Sequence, residues 1–187
     1  IQNGDVSERE TADLARALML LLVPGGLLLA VKVGGGVIAL GLAGLLLVWA
    51  YSAPPLKLMA RGLGELAVAL AWFLVVVGAD YVQRHQFFVI PASVAINFAA
   101  LVAALLLING VPDAPADARV GKRTLAVRLG PTGTAVLYTV LTLGAHAWLG
   151  LSVGLLIPPT EALWGLVSLP LSLFASGSVS YTHLRAH

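Results

Sequence analysis

Six long apolar runs, with almost every charge at their ends, constrain this chain more than any other feature. The runs are Ala12–Val31, Val37–Ala50, Leu63–Ala79, Phe88–Ile108, Thr134–Val153 and Glu161–Phe174. About 20 apolar residues cross a bilayer as a helix, with a working range of roughly 17–25. The second and sixth runs are therefore short. All six are rich in Leu, Ala and Val and lack polar–apolar alternation, which argues against strands. Of the 187 residues, 59% are hydrophobic and 11% charged, whereas a soluble domain carries about 25% charge. So few charges cannot cover a water-soluble globule, and so much apolar surface excludes disorder. With no cysteine there is neither a disulfide framework nor a thiolate metal site. The expected fold class is all-α: a polytopic transmembrane helical bundle in a lipid bilayer, with no nucleic-acid partner.

Local signals place the ends of these helices. Ser7-Glu8-Arg9-Glu10 is a capping-box pattern. Thr160, after Pro158-Pro159, is expected to be a second N-cap. Pro91 falls in the first turn of the fourth span, where a missing N–H costs little. Pro24 with Gly25-Gly26 is expected to kink the first span, and Pro54-Pro55 to stop the second on an extended path. The basic residues alternate strictly between the two sides. Arg9, Arg16, Lys57, Arg61, Arg119, Lys122, Arg123 and Arg128 lie on one, and only Lys32 and Arg84 on the other. By the positive-inside rule the N-terminus and both long loops are cytoplasmic, as in a bacterial inner membrane.

Both termini are unusual. The first residue is Ile1 rather than Met, so a missing beginning is expected, and the acidic, capped entry to the first span is not expected to be a secretory signal. Residues 1–178 form a partial membrane domain. Val179–His187 resembles the in-frame translation of a sequencing-library adapter, and its two histidines are not expected to be ligands.

Three polar clusters share the side rich in cations. In Asn109-Gly110-Val111-Pro112-Asp113-Ala114-Pro115-Ala116-Asp117, the two aspartates are four apart and face the same way on a helical turn. Mg²⁺ commonly takes one or two protein carboxylates and completes its shell with water and phosphate oxygens. This spacing at a membrane helix end therefore suits a magnesium–diphosphate, with Asn109 adding a neutral oxygen. Two aspartates in a loop are otherwise ordinary solvated charges. The second cluster, Arg119, Lys122, Arg123, Thr124 and Arg128, offers cations to a polyanion and to its leaving-group charge. Orientation in the membrane explains such residues equally well for Lys122 and Arg123, and better for Arg128. In the third cluster, Tyr51 to Gly62, Lys57 and Arg61 can reach the same diphosphate. Gly62, Gly64 and Glu65 then open the next helix, small residues allowing close approach.

Read as one string, Asn109…Asp113…Asp117…Gly121-Lys122-Arg123-Thr124-Leu125-Ala126-Val127-Arg128-Leu129-Gly130 resembles the second aspartate-rich region of the UbiA superfamily of intramembrane prenyltransferases. Tyr51-Ser52-x-Pro54-Pro55-x-Lys57, followed by Arg61-Gly62-Leu63-Gly64-Glu65, resembles that family's tyrosine loop. The wording is closest to the branch that prenylates 1,4-dihydroxy-2-naphthoate in menaquinone synthesis. The resemblance runs from about Gly4 to Phe174 and departs at Gly110, where many relatives have a second asparagine. It implies nine transmembrane helices, of which these six spans match the third to eighth. A first motif of N-D-x-x-D type is expected upstream, so this fragment alone is expected to be inactive. The resemblance further implies Mg²⁺ on Asp113 and Asp117. Asn109, Lys57, Arg61, Lys122 and Arg123 would bind polyprenyl diphosphate. Tyr51 would stabilise an allylic cation through its ring face, and an aromatic acceptor would attack that cation. Acceptors such as 4-hydroxybenzoate, homogentisate or a tetrapyrrole remain alternatives.

A transporter is the rival from another class, but such proteins place ionisable groups or broken helices at the midplane. Here the charges gather at one end. His85 is expected to be exposed, His146 to be a hydrogen-bonded structural histidine, and Asp80 a capping or topological acid. Trp49, Trp72, Trp148 and Trp164 are expected to anchor or pack.

Overall fold

A computed structural model describes residues 7–184, with side chains through residue 179. Residues 1–6 and 185–187 lie outside the description; of the expected Val179–His187 tail, residues 179–184 are described as helix, and only Val179 with its side chain. The described residues are mostly helical, joined by short turns and loops. Helices α1 (Glu8–Val33), α2 (Gly36–Ser52), α3 (Gly64–Arg84) and α4 (Val89–Asn109) come first. The short α5 (Ala114–Arg119), the long α6 (Leu125–Gly154) and α7 (Leu169–Leu184) follow. Short 3₁₀ segments occupy Leu58–Ala60 and Thr160–Ser168. Among the described residues, five stretches are long and apolar enough to cross a membrane: α1, α3, α4, α6 and Thr160–Val179; α2 is a shorter apolar helix. A polytopic membrane bundle is thus what the chain forms.

The helix starts follow the sequence where side chains govern them. Ser7 caps α1: its hydroxyl accepts from the Glu10 amide at 3.2 Å, while the Glu10 carboxylate accepts from the Ser7 amide at 2.8 Å. Such a box satisfies two otherwise orphaned donors. Pro91 occupies the first turn of α4, and α2 ends at Ser52 with Ala53 extended, just ahead of Pro54-Pro55.

Other expectations need correction. The sixth span is not one helix from Glu161 to Phe174. It begins as a 3₁₀ segment, turns into α7 at Leu169 and runs to Leu184. Thr160 is not an N-cap; Pro159 holds that position, with no side-chain hydrogen bond. The loop expected through Gly133 also ends early, because Thr124 caps α6 by accepting from the Val127 amide. The interior break falls at Gly130, whose φ of 65° and ψ of −179° interrupt α6 just before Pro131. That ψ turns the Gly130 carbonyl out of the helical ladder. The Thr134 hydroxyl one turn on is buried with no hydrogen-bond partner among the described residues.

Packing is carried by small residues and hydrogen bonds between helices. In lipid the hydrophobic effect does not drive helices together, so close backbone approach and polar contacts do. Ala95, Ala99 and Ala103 form a buried stripe at every fourth position of α4, the helix that packs between α3 and α6. Asn97 of α4 donates to the Ala145 carbonyl of α6 at 2.7 Å, and Trp148 of α6 donates to the Ser93 carbonyl at 3.0 Å. His146 is buried and fully engaged, with Nδ1 2.7 Å from the Thr142 carbonyl and Nε2 3.0 Å from the Ser168 hydroxyl. It is the structural histidine the sequence suggests, and it ties α6 to the last span.

Candidate active site

Two connections build the candidate site at one end of the bundle. The first runs from the end of α2 to the start of α3. Lys57 there adopts a left-handed conformation with φ of 44°, and the 3₁₀ turn Leu58–Ala60 follows. The second runs from the end of α4 through α5 to the start of α6. The Arg123 amide donates to the Ala60 carbonyl at 2.9 Å and so joins the two. Arg128 reinforces the joint by donating through Nε to the Arg123 carbonyl at 3.0 Å. Its side chain passes over Gly62, where φ is +73° and a Cβ would sit 2.7 Å from the Arg128 Cδ. Arg128 is therefore a structural cross-brace, in keeping with the non-catalytic reading of that residue.

Between these connections lies a cavity of about 250 Å³. Tyr51, Asn109, Asp113, Asp117 and Lys122 line it together. The far-apart clusters of the sequence thus converge on one space. Lys122 Nζ lies 3.0 Å from an Asp117 carboxylate oxygen, and the Lys122 amide donates to the Asp117 carbonyl at 3.0 Å. Three other sequence candidates stand outside the lining. Arg61 donates to the Pro55 carbonyl at 2.6 Å, Arg123 serves the joint through its backbone, and Lys57 is exposed.

The cavity also has walls that sequence reasoning passed over. Met59, Gly64, Glu65, Leu106, Gly110 and Thr124 line it as well. Glu65 is the chemically important addition: a buried carboxylate, 9% exposed, in the first turn of α3. A glutamate near a helix start is commonly a partner of the helix dipole, and that hides it in the sequence. At Gly64 a Cβ would meet the Met59 Cα at 3.3 Å, so the bare glycine lets the backbone of the 3₁₀ turn lie against the start of α3, with the Tyr51 ring at an ordinary 3.7 Å.

Among the described residues, no three His, Cys, Asp or Glu side chains form a metal-holding group. The donors present still suit magnesium, which asks for one or two carboxylates and leaves its other positions to water and phosphate. Asp113 and Asp117 supply that number beside the neutral oxygen of Asn109.

A membrane helical bundle with carboxylates and a lysine around one cavity at a helix-end junction defines the class. Residues 4–186 match the family model for the UbiA prenyltransferase family, and the chain belongs to that family. It is 35% identical to a 1,4-dihydroxy-2-naphthoate octaprenyltransferase of Mycobacterium tuberculosis, over 82% of this chain and 52% of the relative. The protein of the same name from Mycobacterium leprae is 33% identical over 68% of this chain and 42% of its own length. A UbiA prenyltransferase domain-containing protein 1 of Dictyostelium discoideum is 31% identical, with 60% of this chain and 34% of the relative covered. The chain thus spans about half the length of the first of these relatives, and less of the others. No solved structure matches it.

Proposed function

We propose that the full-length protein carrying this chain transfers a polyprenyl group from polyprenyl diphosphate to an aromatic acceptor in a Mg²⁺-dependent reaction. The acceptor in this reading is 1,4-dihydroxy-2-naphthoate, as in menaquinone synthesis. The observation that carries it is the convergence of Asp113, Asp117, Asn109, Lys122 and Tyr51 on one cavity. The names borne by the mycobacterial relatives favour the naphthoate acceptor over other aromatic rings.

Asp113 and Asp117 would hold the metal, with Asn109 as a neutral donor. Bound there, Mg²⁺ would neutralise diphosphate charge and ease its departure. Lys122, freed from Asp117 by the incoming polyanion, would pair with phosphate oxygens. Lys57, Arg61 and Arg123 lie outside the cavity wall, so on this reading they attract the polyanion to the mouth of the site. Tyr51 would present its ring face to the allylic cation as the carbon–oxygen bond breaks. The loop end of the bundle would face the cytoplasm of a bacterial cell, as the distribution of Lys and Arg suggests.

Full-length protein in liposomes, supplied with polyprenyl diphosphate, Mg²⁺ and the naphthoate, should form a prenylated product and release carbon dioxide and pyrophosphate. Transfer to 4-hydroxybenzoate but not to the naphthoate would replace the acceptor. An absence of transfer to any aromatic acceptor would end the enzymatic reading.

A further inference from the structure

Three carboxylates line the cavity, and they are not equivalent. Asp113 and Asp117 lie on or beside α5, and Asp117 is paired with Lys122. Glu65 lines the same cavity from a different element, the first turn of α3, and shares that lining with Tyr51. Among the described residues it makes no salt bridge and joins no metal-holding group of three. A role for the helix dipole alone would be served as well by an exposed carboxylate, whereas a buried one without an ion-pair partner costs stability. Carboxylates kept in such places are often ones that exchange protons.

We propose that Glu65 is the catalytic base of the transfer, taking the hydroxyl proton of the aromatic acceptor while Asp113 and Asp117 serve the diphosphate. This rests on the proposed function and deepens it. The acceptor lies between Glu65 and the prenyl carbon held near Tyr51. As its ring carbon bonds to that carbon, the carbon–oxygen bond to diphosphate breaks and pyrophosphate leaves with the bonding pair. The acceptor hydroxyl gives its proton to the Glu65 carboxylate and becomes a ring ketone. For an acceptor whose attacking carbon carries a carboxylate, the bond to that group then breaks. Carbon dioxide leaves, the electron pair restores the aromatic ring, and Glu65 returns the proton to the ring oxygen. No oxidant, reductant or further reactant is consumed.

The test uses full-length protein in liposomes, with Glu65→Gln and Glu65→Asp beside Asp113→Asn. Two quantities are read: Mg²⁺-dependent binding of polyprenyl diphosphate, and single-turnover transfer to the naphthoate. Glu65→Gln should bind diphosphate within about twofold of the parent and transfer roughly 10²–10⁴ times more slowly, the usual worth of a general base. An acceptor made more acidic by a ring fluorine should recover part of that loss, which a merely structural defect would not allow. Glu65→Asp should lose less and respond to acceptor acidity in the same direction. Undiminished transfer by Glu65→Gln overturns the assignment. So does a loss of diphosphate binding parallel to that of Asp113→Asn, or a deficit indifferent to acceptor acidity in both variants. A parent protein that transfers to no aromatic acceptor defeats the proposed function itself, a result distinct from all of these.

Discussion

Acid–base pairs sit at both ends of the bundle, and they differ in what surrounds them. On the end away from the cavity, Arg84 and Asp80 are one turn apart on α3, with oxygen and nitrogen 2.6 Å apart. Arg84 also lies over the Phe88 ring at 4.0 Å, and the neighbouring Tyr81 accepts from the Gly36 amide at 3.1 Å. That end is occupied: its polar groups are spent on neighbours a turn or a hairpin away. At the other end, Asp117 and Lys122 lie 3.0 Å apart across the junction between α5 and α6. They share their cavity wall with a buried glutamate, a second aspartate and an asparagine. Opposite charges in contact therefore do not mark a site; the difference is open volume beside them with more polar groups converging than their own pairing needs.

Substitutions can break that contrast. The largest effect is expected from Asp113→Ala in the full-length protein, which should lower transfer by at least about 10²–10³. Full activity at saturating Mg²⁺ would remove Asp113 from the proposed metal site. Next comes Gly36→Ala at the opposite end, where the new Cβ would collide with the Tyr81 ring. Overpacking of this kind costs about 1–3 kcal/mol, so thermal unfolding in detergent should shift downward while diphosphate affinity stays unchanged. Lys122→Gln should weaken diphosphate binding by about tenfold, one charge-assisted contact's worth, with a shallower dependence on salt. Asp80→Asn should do least. A partly exposed pair within one helix contributes about 0.5 kcal/mol, so transfer should remain within about twofold of the parent. Should Asp80→Asn harm transfer as much as Lys122→Gln, the two ends would not differ as described.

The bundle was legible because its signals are local. Apolar length marks the spans, Ser7 and Glu10 write their capping box in four letters, and Pro54-Pro55 ends α2 where it stands. The errors arise where a backbone choice depends on tertiary packing. Gly130-Pro131 is a turn-like dipeptide, yet it sits inside α6 because Thr124 has already started that helix. Thr160 looks like a cap, but Pro159 takes the position and the segment winds as 3₁₀. In the candidate site, spacing found Asp113 and Asp117, since four residues span one helical turn. Charge alone could not separate Lys122, which lines the cavity, from Lys57, Arg61 and Arg123, which do not. Glu65 escaped because the residues that share its cavity, Asn109 and the aspartates, are distant in sequence and brought to one space only by the packing of α3 on α4.

The crossing of Arg128 over Gly62 carries a consequence for how sequences of this kind can change. Position 62 accepts no side chain while an arginine lies across it, since the Arg128 Nε would stand 2.8 Å from a new Cβ. Position 128 holds the carbonyl of Arg123, and Arg123 in turn holds Ala60. A side chain gained at the first position is also strained by that φ of +73° and meets the Arg123 carbonyl oxygen at 3.1 Å, so a shorter residue at the second relieves it only in part. The two sites, 66 residues apart, are unequal in what they tolerate: position 128 can shorten at the cost of the brace, while position 62 is held to glycine by its own backbone as well.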